Sequence, residues 1–170
     1  MTENGLQSRP VSNAELEGMV DHVVLYAIVD ACDEPAVYEK VRELGPDRAL
    51  CLHGGDLEEE ERRVAPYLLR VDEEMMRWIM GELWGRPWGI FLLSDHDART
   101  LRPHLRSMLS AEGPEGDPMY LRYYDPRVTA GLFESFSRGQ LEEVMKPLKG
   151  IVVPSVDGED GSELYYRSPT

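Results

Sequence analysis

At 170 residues the chain is long enough for one domain with a single core and short extensions at either end. It carries 18 Lys and Arg against 32 Asp and Glu, a formal net charge of -14, which is the wrong sign for nucleic acid or an anionic membrane surface. Such a field attracts basic partners and suppresses self-association, and no stretch approaches the ~20 apolar residues needed to span a bilayer.

Residues 1–12 read as a loose arm, and "MTENGLQSRP" has neither the basic nor the apolar segment of a secretory signal, so the expected compartment is the cytoplasm. Ser12 and Glu15 stand in capping-box spacing before a short helix that reaches Val20. "HVVLYAIVD" is a β-branched apolar run of strand length without polar alternation, the pattern of a strand covered on both faces. "EPAVYEKVRELG" follows as a helix, with Val37, Val41 and Leu44 at i, i+4, i+7 and Gly45-Pro46 as its stop. "RALCLHGG" is a second short strand, the acidic "DLEEEERR" a solvated helical segment, and "APYLLRVD" a third strand.

In "EEMMRWIMGELWG" one row of Met75, Ile79 and Leu83 and another of Met76, Met80 and Trp84 predict a helix apolar around much of its girth. "WGIFLLSD" is the fourth strand, with Ser94 and Asp95 as caps for the helix "HDARTLRPHLRSMLS", whose core face is Leu101, Leu105, Met108 and Leu109. "AEGPEGDP" is a surface connection. "LFESFSRGQLEEVMKPLKG" reads as two short helices broken near Ser137 to Gly139, "IVVP" as a last strand, and the remainder as a tail or a hairpin around Gly158 to Gly161.

Four strand-helix alternations in the first 110 residues predict an α/β fold, one domain with a mixed or largely parallel sheet flanked by helices and a helical segment near the C-terminus. The expected organisation is an arm and short helix over 1–20, the α/β domain over 21–154, and a tail or hairpin over 155–170.

No catalytic constellation stands out. His22, His53, His96 and His104 form no metal-ligand spacing, and Cys32 and Cys51 lie 19 apart without a CxxC motif, so neither a metal nor a disulfide is expected. "CLHGGD" has the glycines of a phosphate loop but no GK[ST], and "LEEEE" behind it would repel a phosphate, so a plain turn is expected. Ser94 imitates a nucleophile only by standing after a strand, where a cap is the ordinary reading. No cofactor is expected.

The aromatic and arginine features carry more. Trp84 and Trp88 flank a Gly-Arg-Pro turn, where they serve either core packing or a binding surface. Arg99, Arg102 and Arg106 at i, i+3, i+7 make a basic stripe on an acidic protein, either a solvated face or an interface anchor. "YLRYYDPRV" is the densest stretch. As a strand it would put Tyr120, Arg122 and Tyr124 on one face and Met119, Leu121 and Tyr123 on the other, with Asp125-Pro126 opening a helix. Arg127 in the first turn would join Arg122 around the single carboxylate of Asp125, forming either a structural cluster or an interaction surface.

Taken in order, "YAIVDACDEPAVYEKV", "APYLLRVD", "WGRPWGIFLLSDHDARTLRPHLRSML" and "YLRYYDPRV" resemble the domain-of-unknown-function family found in type VI secretion effector chaperones, or adaptors, of Gram-negative bacteria. The resemblance runs from about Val24 to Val153. Its most specific blocks are Trp88-Gly89 and the R-x-Y-D-P-R of Arg122, Tyr124, Asp125, Pro126 and Arg127. It implies a non-enzymatic cytoplasmic protein that binds a secreted effector and aids its loading onto the secretion spike protein, here as a short member lacking most of a C-terminal lobe. Two other readings of the residues stay open: a small enzyme with an anion site at Arg122 and Arg127, and an immunity-type protein that binds and inhibits a toxin.

Overall fold

The computed structural model describes residues 2–32, 34–157 and 159–168. The apolar run without alternation becomes β2 (Leu25–Asp30), buried at every position. Such a strand needs partners on both edges and cover on both faces. It pairs antiparallel with β4 (Pro66–Arg70) on one side and β5 (Gly89–Leu93) on the other. Its Leu25, Ala27 and Val29 enter one hydrophobic cluster, while Tyr26 and Ile28 enter the other.

The first cluster is closed by two helices. α2 (Pro35–Leu44) leads from β2 to β3 (Ala49–Cys51), and α4 (Glu73–Trp78), continued by a π turn over Ile79–Leu83, leads from β4 to β5. They bury Val37, Val41, Met75, Ile79 and Leu83, as the helical spacing predicts. The short acidic α3 (Glu59–Arg62) lies between β3 and β4, and α1 (Asn13–Gly18), capped by Ser12 through a 3.1 Å bond from the Glu15 amide, adds Leu16 to this side.

The sheet order β1-β9-β8-β5-β2-β4-β3 corrects the expectation of a largely parallel sheet, because every neighbouring pair is antiparallel. Within β5-β2-β4-β3, each strand-helix-strand unit keeps its two strands parallel but leaves a gap one strand wide, and a strand of the other unit fills it. That is the split β-α-β arrangement of ferredoxin-like folds. A central antiparallel strand between two helical layers carries the same unbroken apolar pattern as a parallel one, so β2 alone does not distinguish them.

The second cluster is covered by α5 (Ala98–Ser107), α6 (Pro126–Ser135) and α7 (Arg138–Met145), which contribute Leu101, Leu105, Phe133, Leu141 and Met145. α7 opens with a capping box of Ser137 and Gln140, at the predicted break. The N-cap of α5 is Asp97, which accepts a 2.7 Å bond from the Thr100 amide, and not Ser94 or Asp95. Ser94 is buried. It donates to the Pro147 carbonyl at 2.6 Å and accepts from the His96 amide, so it ties the end of β5 to the chain entering β8 (Gly150–Pro154).

Both ends of the chain join the sheet. β9 (Ser162–Arg167) pairs with β8, and β1 (Leu6–Val11) pairs with β9 at the outer edge, so the expected loose arm is a strand. Leu6 and Val11 are buried, and the Asn4 side chain donates 2.9 Å bonds to the carbonyls of Phe133 and Phe136. Those contacts are long-range and invisible to local pattern. Pro10 and Arg9 suit an edge, where a missing N–H and a charge discourage further pairing. The expected turn at Gly158 to Gly161 lies partly outside the described residues, Gly158 being one of those left out.

Candidate protein-binding site

The site is assembled from the C-terminal ends of β2 and β3, the exposed hairpin of β6 (Ser110–Glu112) and β7 (Pro118–Tyr120), and the turn that opens α6. β7 ends at Tyr120, the first residue of the tyrosine-rich stretch, which corrects the expected Tyr-Arg-Tyr strand face. Beyond Tyr120 the Leu121 amide bonds to the Leu109 carbonyl at 2.7 Å and the Asp125 amide to the Arg122 carbonyl at 2.9 Å, so the backbone turns. Period-two alternation therefore fails, and the adjacent Tyr123 and Tyr124 both point inward, 1% and 2% exposed. Tyr123 donates to the Leu105 carbonyl at 2.7 Å, locking the turn onto α5.

Arg122 and Arg127 do not share one carboxylate. Arg122 reaches across the fold to Asp30, the last residue of β2, in a close ion pair, and Asp30 also accepts a 3.0 Å bond from the Cys32 amide. Burial raises the Asp30 carboxyl above its ordinary value against the pull of both partners, and burial also opposes the charge on Arg122, but the hydrogen bond and charge attraction of Asp30, with a smaller pull from Tyr124, together outweigh it. Arg127 pairs instead with Asp125, its Nε and Nη2 donating at 3.0 and 2.8 Å. Asp125 is the N-cap of α6 with Pro126 at the first helical position, as its sequence predicts.

Burial opposes ionisation of Asp125, but the side-chain and backbone hydrogen bonds from Arg127 outweigh it and hold the carboxyl below its ordinary value. A carboxyl lowered on folding contributes stability that is fully present above its unfolded value near pH ~3.9 and lost as the pH falls through the folded one. Asp125→Ala is expected to lower stability by about 1–2 kcal/mol at neutral pH through the lost cap, and to flatten the acid limb of the stability profile. Denaturation midpoints from neutral pH down to about pH 2.5 check this; curves parallel to wild type would contradict it.

Tyr124 is linked outward. Its hydroxyl lies 3.1 Å from that of Tyr120, which lies 2.8 Å from His53 Nε2 in the loop after β3. Burial lowers the His53 imidazole below its ordinary range. His53 also lines an open groove of about 630 Å3 beside β3, whose wall is formed by α2 and the approach to α3. The groove has an apolar lining of Val41, Leu50 and Tyr67, and guanidiniums from Arg42, Arg62 and Arg102.

The basic stripe of α5 divides. Arg102 and Arg106 use Nε to hold the carbonyls of Cys51 and Leu52 at 2.8 and 3.0 Å, clasping the end of β3. Arg99 is exposed and stands apart, 3.9 Å from Asp47. Trp88 is fully buried with Phe91 edge-on at 5.0 Å, and Trp84 is half-buried against the same core, so neither lies in the groove.

Asp30, His53, Arg42 and Arg62 do not stand out in the sequence as site residues. Only Asp30 carries a local signal, as a lone acid ending an apolar strand. Among the described residues no group of three His, Cys, Asp or Glu side chains could hold a metal, and no helix is long and apolar enough to cross a membrane. Comparison with curated proteins and with solved structures gives no match. The family described as "Domain of unknown function (DUF4123)" matches residues 25–143, from β2 into α7, a span that takes in the split β-α-β sheet, the α5 clasp and the Asp30–Arg122 and Asp125–Arg127 pairs. The chain is a member of that family.

Proposed function

We propose that the protein is a non-enzymatic cytoplasmic chaperone or adaptor that binds a type VI secretion effector and aids its loading onto the secretion spike protein. The observation that carries this reading is the open groove beside β3, apolar and arginine-lined, joined through His53 and the tyrosine chain to the residues of the family signature. Arg122 and Arg127 are each engaged by a carboxylate of this chain, an arrangement that counts against an anionic-substrate site at those two positions. The resemblance of four sequence blocks to the effector adaptors supports the partner class.

Co-expression with the products of neighbouring genes, followed by pull-down, tests the proposal. An effector-like or spike-like protein is expected in the complex, and its absence would refute the reading. Deletion of the gene is expected to abolish export of the toxin while leaving the cell's self-protection intact; loss of self-protection with export preserved would favour an immunity protein instead.

A further inference from the structure

We infer that the groove beside β3 is the docking site for an acidic, leucine-containing segment of the partner protein, held by Arg42, Arg62 and Arg102. The inference rests on the adaptor reading for the identity of the partner but not for the chemistry of the groove.

The charge distribution points this way. In a chain with 32 acidic residues, the groove is lined by three guanidiniums and one carboxylate, Asp56. Ten ion pairs are formed elsewhere among the described residues, yet Arg42, Arg62 and Arg102 take part in none of them. Two acids of neighbouring α3 are otherwise employed. Glu59 pairs with Arg63 at 3.0 Å, and Glu61 accepts the Glu58 amide at 3.1 Å in the capping box. Arginines left without carboxylates on so acidic a surface are available to a partner's carboxylates, and guanidinium binds these in a two-pronged geometry.

Side chains, rather than strand addition, do the recognising. β3 has only three residues, the Ala49 amide is already bonded to the Gly45 carbonyl at 3.0 Å, and the Cys51 carbonyl is taken by Arg102. A blunted edge of this kind offers little backbone to a visiting strand. Leu50, Val41 and Tyr67 supply the apolar contact, so a purely acidic segment would fill the groove less well than one mixing carboxylates with leucines.

The probe is a nine-residue fluorescent peptide alternating glutamate and leucine, compared with its lysine-leucine counterpart, which the net charge of the protein favours. By anisotropy the glutamate peptide is expected to bind saturably and more tightly than the lysine peptide. Arg42→Glu with Arg62→Glu, both exposed and outside the core, is expected to weaken it at least about tenfold and to reverse the preference toward the lysine peptide. The charge-matched pair Arg138→Glu with Lys146→Glu, outside the groove lining, is expected to leave binding within about twofold. Thermal melts confirm that both variants fold. Equal loss in both pairs, tighter binding of the lysine peptide by wild type, or full displacement by inorganic phosphate at matched ionic strength would overturn the inference. Pull-down separates it from the adaptor reading: a partner captured equally by wild type and the Arg42/Arg62 variant refutes the groove alone. A wild type that captures none refutes the adaptor alone, while the peptide still decides the groove.

Discussion

Gly89→Ala is expected to abolish the native fold. Gly89 opens β5 opposite Val29 of β2 with φ of 151°, a conformation that residues with a Cβ rarely adopt. A Cβ there would lie 1.9 Å from the Ile28 carbonyl oxygen and 3.0 Å from its carbon. Both are backbone atoms of the central strand, so relief requires moving β2 or β5 and losing the pairing on which both core clusters rest. The expected loss exceeds about 4 kcal/mol, in the range reserved for single substitutions that break a core or a strained backbone position. Circular dichroism and urea denaturation of the purified variant read it out; a native spectrum with a midpoint near wild type would contradict the placement of β5 against β2. Gly131→Ala is the control. It lies within α6, where an added Cβ would meet nothing within 4 Å, and is expected to stabilise by about 0.5–1 kcal/mol. Trp88-Gly89 thus joins a core side chain to a backbone position with no room for a Cβ.

The second large effect is expected from Arg122→Ala. Asp30 is only 3% exposed through its side chain, so removing its cation leaves a buried carboxylate with the Cys32 amide as its donor. Breaking a buried pair from one side typically costs 3–5 kcal/mol; the 40% exposure of Arg122 lets water replace part of the interaction, which brings the expectation to about 2–4 kcal/mol. Asp30→Asn combined with Arg122→Met is expected to lose less than the sum of the single substitutions, because neither charge is then left alone. The coupling energy from a urea-denaturation cycle measures this, and an additive cycle would show that the pair adds nothing. The sign of the pH dependence is opposite to that of Asp125. A carboxyl raised on folding gains stability as the pH falls through its folded value, so wild-type Asp30 works against the acid loss contributed by Asp125.

Local pattern carried much of the fold because it reports what a single element must bury. The run around Leu25 to Asp30, the 3.6-residue spacing of Val37 and Val41, the double apolar row from Met75 to Trp84 and the break near Ser137 to Gly139 each specify an element or its boundary without reference to the rest of the chain. Pattern failed at "YLRYYDPRV", where hydrogen bonds to Leu109 and within the turn replace strand geometry, and at residues 6–11, whose pairing partner lies at the other end of the chain.

Most of the helices, the central strands and the Asp125-Pro126 helix start were legible in the amino-acid order, because each depends on neighbours within a few positions. The antiparallel sheet, the pairing of Arg122 with Asp30 rather than Asp125, and the meeting of Arg42, Arg62 and Arg102 beside β3 arise from the packed fold. Strand order, ion-pair partner and groove lining are relations between residues tens of positions apart, and packing two helical layers on one sheet is what brings those residues together.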